Sequence, residues 1–393
     1  MTTERDAASS ESGLSTGALA GGPFTGRSVA PEATGGNAAT SARGASHANA
    51  ETSTNGAPHA APRSLDARSG HGDAGHAGGA PHALSAALEH ELLRFEGGRL
   101  HDLHWFRSDW QRGAAATATA RYRDDDGTDH AVVVKVPVNQ RELRWSRRLG
   151  ATTGAAEAPV PRLWASGETL GPYDFAWIAV ERVQHGPLAL HWHATHIQRI
   201  ADAAARFHRA ALDATGTYGV DQAPHDEDWE TLLRTAREHV RDPAMPERSR
   251  WSTALKELSK KLDKLIDRWR SRRPIGWIHG DLHPANTVSR VAIDSGAACL
   301  IDLAEVRAGH WLEDAIYLER LLWTRPDRLA IKPTKALADA RKHLGLENGD
   351  YPPLAVARRV LLAGTSPAFR GEQGPAFLAA SLAKLEEGLH EAR

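Results

Sequence analysis

Asp281, Asn286 and Asp302 are the residues whose types and spacing promise chemistry. In Trp277-Ile278-His279-Gly280-Asp281-Leu282-His283-Pro284-Ala285-Asn286 an acid is followed five residues on by an amide, and the apolar run Cys299-Leu300-Ile301 ends in a second acid, Asp302. Oxygen donors of this kind suit Mg²⁺, which is held through one or two carboxylates and shared with substrate phosphates. A carboxylate to accept the proton of an attacking hydroxyl, with an Asn and an Asp to hold metal against a triphosphate, is what phosphoryl transfer asks of a protein. His279, Asp281 and Asn286 fall on the H-x-D-x-x-x-x-N spacing of such loops. The flanking apolar residues read as short strands, so the pattern predicts a metal-and-phosphate site on the loops between them.

Elements able to carry that site are visible on both sides of it. Residues 131–136, Ala-Val-Val-Val-Lys-Val after an Asp-Asp-Asp-Gly turn, are β-branched and predict a strand. Residues 161–167 read as a strand and turn, and 176–183 as another strand. Beyond them the period becomes helical: Ile197, Ile200, Ala201, Ala204, Phe207 and Ala211 recur on one face beside His208, and Leu255, Leu258, Leu262, Leu265, Ile266 and Trp269 on another. Pro274 and Gly276 break that second helix just before the loop. Further helices are expected near 312–323, 334–344, 354–362 and 375–389. Ahead of the strands, Ser85 is placed as the cap of a short helix through Leu88, Leu92 and Leu93 that ends at Gly97-Gly98.

Several side chains have two readings. Lys135 inside an apolar strand is costly unless an anion meets it, although it can also sit on the strand's solvent side. Glu142 is a candidate partner for Lys135, yet Asn139 with an acid three residues on also fits a capping box. Asp226, Glu227 and Asp228 could meet a cationic substrate, and equally stand where acids favour a helix N-terminus.

The first 83 of the 393 residues are Ala, Gly, Ser and Thr with scattered Pro and His and no apolar period. Such a stretch cannot bury enough surface to offset the entropy of ordering it and is expected to be disordered. Gly70, Gly72 and Gly75 spell G-x-G-x-x-G, but no strand precedes them and no helix follows; His71, His76 and His82 lack Cys or carboxylate partners. The tail lacks the pattern of a secretory signal, and no run of about 18 apolar residues is present to span a membrane. The single cysteine, Cys299, cannot form an internal disulfide, which points to a reducing, cytoplasmic setting. With 48 basic against 49 acidic residues, no overall charge argues for nucleic acid.

The filled-in string His-Gly-Asp-Leu-His-Pro-Ala-Asn, with Ile301-Asp302 downstream and residues 309–314 beyond, resembles the aminoglycoside phosphotransferase and choline kinase superfamily, the small-molecule branch of the protein-kinase-like fold. The resemblance covers about residues 100 to 330. It implies an α+β bilobal fold: a small antiparallel-sheet lobe over 84–183, a larger mostly helical lobe over 184–393, and the tail ahead of both. It implies transfer of the ATP γ-phosphate to a hydroxyl of a small molecule, with Asp281 orienting or deprotonating that hydroxyl and Asn286 and Asp302 holding Mg²⁺. Lys135 would steady the α- and β-phosphates and pair with Glu142, and the hinge strand at 180–183, with Glu181 and Val183, would meet adenine through its backbone. His279, His283 and Asp314 would support the loop, and His208 would buttress it. The small-residue loop at 112–120 would lie over the phosphates; it is Ala-rich where protein kinases use several glycines. A catalytically silent nucleotide- or partner-binding domain is the alternative, but it has no chemical need for Asp281, Asn286 and Asp302 together. A protein kinase is disfavoured by the absence of Asp-Phe-Gly and Ala-Pro-Glu signatures.

Overall fold

The computed structural model of the chain describes residues 83–107, 115–151, 157–190, 192–216, 226–292, 297–369 and 374–392. The expected tail lies outside these residues except for Ala83, as do residues 112–114 of the expected phosphate loop. Helix α1 (Ala83–Arg94) starts two residues ahead of Ser85, which therefore sits in its first turn and is not its cap. The expected stop holds: Gly98 takes a left-handed backbone and donates its N–H to Phe95 O.

Five strands, β1 (Leu100–Arg107), β2 (Ala116–Arg123), β3 (Asp129–Val136), β4 (Leu163–Gly167) and β5 (Trp177–Glu181), pair antiparallel in the order β1-β2-β3-β5-β4. Side chains alternate along β3, so Val132, Val134 and Val136 enter one core with Ala116, Ala118, Leu100 and Trp177. Lys135 is left on the other face, in register with Ile178 of β5. Helix α2 (Gln140–Gly150) covers this second face, with Leu143 packed among Val138, Ala176 and Ile178. Its start is set by Asn139, whose Oδ1 accepts the Glu142 N–H at 2.7 Å.

The remainder of the chain is helical: α3 (His196–Thr215), α4 (Trp229–Val240), α5 (Arg248–Arg270), α6 (Leu312–Leu321), α7 (Pro333–His343), α8 (Pro352–Thr365) and α9 (Pro375–Glu391). They share one core with α3 inside it, burying Ile197, Ile200, Ala204, Phe207 and Ala211, the stripe expected from the sequence. Between α5 and α6 two short antiparallel pairs are inserted, β6 (Gly276–Ile278) with β9 (Arg307–Gly309) and β7 (Thr287–Ser289) with β8 (Ala298–Leu300). Trp145 of α2 belongs to the helical core and stands edge-on to Trp277 at 4.9 Å, so α2 is packed into both halves of the molecule. The architecture is the kinase-like arrangement of an antiparallel sheet followed by a helical lobe. Among the described residues no helix is long and apolar enough to cross a membrane.

The acids ahead of α4 are spent inside the protein. Asp228 caps α4 by accepting the Thr231 N–H at 3.0 Å, and Asp226 accepts from Trp229 Nε1 and Arg270 Nε. Glu227 is buried in a two-pronged pair with Arg358 of α8, both bonds 2.6 Å. A buried charge whose partner is removed is far costlier than the pair it belonged to. Glu227→Ala is therefore expected to lower the unfolding free energy by about 3–5 kcal/mol, measured by urea titration, with Arg358→Leu added to it restoring most of the loss; a drop under about 1 kcal/mol would show the pair to be idle.

Candidate active site

The two inserted strand pairs lie side by side and set the loop residues. Strand β6 leads into His279-Gly280-Asp281; a 3₁₀ turn at Pro284–Asn286, capped by His283 Nδ1 accepting the Ala285 N–H, delivers Asn286 to the start of β7. Strand β8 leads to Ile301 and Asp302, and the Ile301 N–H donates to Asn286 O at 3.0 Å. Asn286 Nδ2 donates to both Asp281 O (3.1 Å) and Asp281 Oδ2 (2.9 Å). Asp302 takes a left-handed backbone (φ 64°), which a short polar side chain tolerates, and its carboxylate is partly open to solvent. Gly280 has no such freedom of replacement: φ is +82°, and a Cβ there would stand 2.3 Å from the Glu305 carbonyl oxygen.

The loop backbone is held from below by Asp314. This buried carboxylate accepts the His279 N–H at 2.9 Å, the Gly280 N–H at 2.8 Å and His208 Nε2 at 3.0 Å. Burial works against its charge, but the bonds from His208 and Gly280 outweigh it and keep the carboxyl below its ordinary range. Arg341 can only donate, so its 3.0 Å contact to His208 Nδ1 fixes that nitrogen as the acceptor and puts the proton on Nε2, facing Asp314. The same logic fixes His279: Nε2 donates to Ile301 O at 3.0 Å while Nδ1 accepts the Asp281 N–H. Burial holds His208 below the ordinary histidine range and takes His310, whose Nδ1 accepts the Leu312 N–H, down to about 3.

Asp281 is the acid these supports present. Tyr317 Oη donates to its Oδ1 at 2.7 Å, Asn286 to its Oδ2, and His283 Nε2 lies 3.4 Å from Oδ2. Burial raises its pKa, but His283 and Tyr317 more than offset this and the group stays below the usual carboxylate range. Tyr317 was not anticipated from the sequence. It lies three residues past Asp314 on α6, so helical spacing puts both on one face, and that was the available signal.

Across the cleft, Lys135 Nζ donates to both Glu142 oxygens at 2.8 and 2.9 Å and to Asp302 Oδ1 at 3.1 Å. Burial disfavours its charge, and the two carboxylates outweigh burial, holding the ammonium above its ordinary range. Both readings of residues 139–142 are therefore partly met: Asn139 caps α2, while the Glu142 carboxylate turns to Lys135. The Glu181 N–H donates to Arg162 O, and its carboxylate accepts from Arg290, which follows β7, at 2.8–3.1 Å. Arg290 also donates to Ala158 O and Val160 O, stitching the sheet to the loop. Val183 follows β5 with no backbone partner among the described residues. Glu305, on the 3₁₀ turn after Asp302, lies 3.6 Å from Arg141.

Residues 96–355, well over half of the chain, match the sequence profile of the phosphotransferase enzyme family. The chain belongs to that family. No curated protein matches it. Solved structures similar to this phosphotransferase include an aminoglycoside phosphotransferase from Alicyclobacillus acidocaldarius, 17% identical, covering 70% of this chain and 87% of that one with a TM-score of 0.45. A microcompartment-associated aminopropanol kinase is 18% identical and covers 79% of this chain and 98% of its own, TM-score 0.48. A further match is a putative aminoglycoside phosphotransferase from Ralstonia eutropha, 14% identical, covering 79% and 97%, TM-score 0.46.

His208 and His310 have a pH consequence for this phosphotransferase. Burial holds both below the unfolded value of 6.5, so the unfolded chain binds protons that the folded one refuses, and stability present above pH 6.5 is lost as pH falls. Urea unfolding between pH 7.5 and 5.5 is expected to show a decline below pH 6.5 of up to about 1.4 kcal/mol per pH unit for each histidine, with His310→Asn removing its share. A flat profile would show that burial does not lower them.

Proposed function

We propose that this phosphotransferase uses ATP with Mg²⁺ and passes the γ-phosphate to a hydroxyl of a small molecule. The observation that carries the reading is the Lys135 ammonium of β3 bonded at once to Glu142, seven residues on in the first turn of α2, and to Asp302, 167 residues on in the loop after β8. That contact brings a phosphate-seeking cation to the acid expected to hold metal.

The donor set fits Mg²⁺. Asn286 Oδ1 has no protein partner among the described residues, Asp302 accepts only from Lys135 and is partly exposed, and Glu142 with Asp302 outnumber the single Lys135 charge. Hard oxygen ligands with an excess of negative charge suit a divalent cation completed by phosphate and water. Asn286 and Asp302 would hold it, and when bound it neutralises charge gathering on the transferred phosphoryl group.

The remaining roles follow from the contacts. Asp281 takes the proton of the acceptor hydroxyl as the acceptor oxygen bonds to the γ-phosphorus and the bond from that phosphorus to the β,γ-bridging oxygen breaks, releasing ADP. Tyr317 and Asn286 fix the carboxylate in direction. Lys135, aligned by Glu142, meets the α- and β-phosphates. His279, His283 and Asp314 keep the loop in shape. Glu181 and Val183 belong to the hinge where adenine would bind; the Glu181 side chain is taken by Arg290, so its part there is through the backbone. The lobes divide after Val183.

The test is ADP release with Mg²⁺ against amino sugars, amino alcohols and monosaccharides. Acceptor-dependent turnover is expected, reduced about 10²–10⁴-fold in Asp281→Asn and lost in Asp302→Ala; failure of ATP and Mg²⁺ to bind at all would overturn the reading. Tyr317→Phe removes a hydrogen bond to a charged acceptor, a loss of about 1.5–3 kcal/mol at most. It leaves burial to push the Asp281 pKa upward, so the acid limb of the kcat/KM profile should move to higher pH. An unmoved limb would show that Tyr317 does not tune the acid.

A further inference from the structure

Far from the cleft, a cavity of about 720 Å³ opens between the end of α4 and the beginning of α5. Its lining holds four cations, Arg237 and Arg241 from the α4 side and Arg248 and Lys256 from α5, and no Asp or Glu. Among the described residues none of the four stands within 4 Å of a carboxylate oxygen, whereas exposed cations close by do: Arg250 against Glu386 and Lys260 against Glu257. Four exposed cations around one hollow give it a positive potential that attracts anions, most strongly at low ionic strength. Ser249 and Ser252 add hydroxyl donors, and Val240 and Leu255 close the floor.

We infer that this cavity binds a soluble anion carrying two or more phosphate groups. An anion with two or more phosphate groups presents oxygens to the α4-side and the α5 cations together, and the volume lies in the range of small-molecule sites, roughly 300–1,000 Å³. The site is separate from the proposed nucleotide cleft. Beyond Lys256, the last lining residue, α5 continues to Arg270, a rise of about 21 Å, before the chain reaches β6. The Arg fork, with five donors, suits phosphate oxygens in pairs.

The test is calorimetric titration of the full chain with sodium tripolyphosphate at low ionic strength, comparing wild type, Arg237→Ala/Arg248→Ala and Lys135→Ala. At least a tenfold loss of affinity is expected in the double variant and a persisting binding event in Lys135→Ala. The double variant changes exposed side chains only, so its thermal unfolding midpoint without ligand should match wild type. Inorganic phosphate should bind at least tenfold more weakly than tripolyphosphate. Equal binding by wild type and double variant, or loss of all binding in Lys135→Ala, would overturn the assignment, the latter by placing every event in the cleft. Sedimentation with phosphatidylserine vesicles without tripolyphosphate binding would also overturn it, pointing to a membrane surface. None of these outcomes bears on whether the cleft transfers phosphate.

Discussion

A single buried carboxylate, Asp314, holds the loop that carries the proposed catalytic acid. A tight loop between two three-residue strands exposes more backbone N–H groups than its own carbonyls can satisfy, and buried unsatisfied donors are expensive. Asp314 takes two of them, from His279 and Gly280, and its third bond ties the loop to α3 through His208. Arg341 on α7 then fixes the tautomer of His208. Packing of α3, α6 and α7 thus sets the loop through one chain of donors and acceptors, each with its direction determined. Gly280 belongs to the same constraint, because the path that lets two consecutive amides face one carboxylate needs a positive φ and leaves no room for a side chain.

Charge is arranged differently on the two sides of the cleft. On the loop side Asp281 accepts from a phenol and an amide, with the His283 ring 3.4 Å away. On the sheet side a full charge, Lys135, is shared between two carboxylates. The phenol and the amide orient Asp281 without setting an ammonium beside it, which suits the proton-accepting role proposed for it. Lys135 is positioned by β3 alternation and held by α2, so its direction is a property of the sheet and not of the loop.

The central motif was legible because its spacing lies within one short segment: Asp281 to Asn286, with Asp302 at the end of the next apolar run, needed only the local chain. The strands and helical stripes were legible for the same reason, through periods of two and 3.6. Contacts made over long separations were not. Arg290 meeting Glu181, and Arg341 meeting His208, depend on how elements stack, and neither arginine carries a local mark that separates it from a solvated one. Tyr317 fell between these cases, since its spacing from Asp314 was visible but its partner 36 residues away was not. Glu142 had two plausible local assignments, and tertiary structure divided them between backbone and side chain. Asp226, Glu227 and Asp228 show the opposite lesson: an acidic cluster that looked available to a cationic ligand is used up by a helix cap, an indole and two arginines.

Arg290 gives the join between sheet and loop a chemical character of its own. Its guanidinium binds Glu181 and two main-chain carbonyls; burial works against its charge, but the bond to Glu181 outweighs this and holds that charge more firmly than usual. The loop beneath rests on imidazoles that must stay uncharged, while the seam rests on a cation that stays charged. Mild acid therefore strains the centre of the molecule and spares its border, and the lobes should remain coupled while the loop that Asp314 holds loosens.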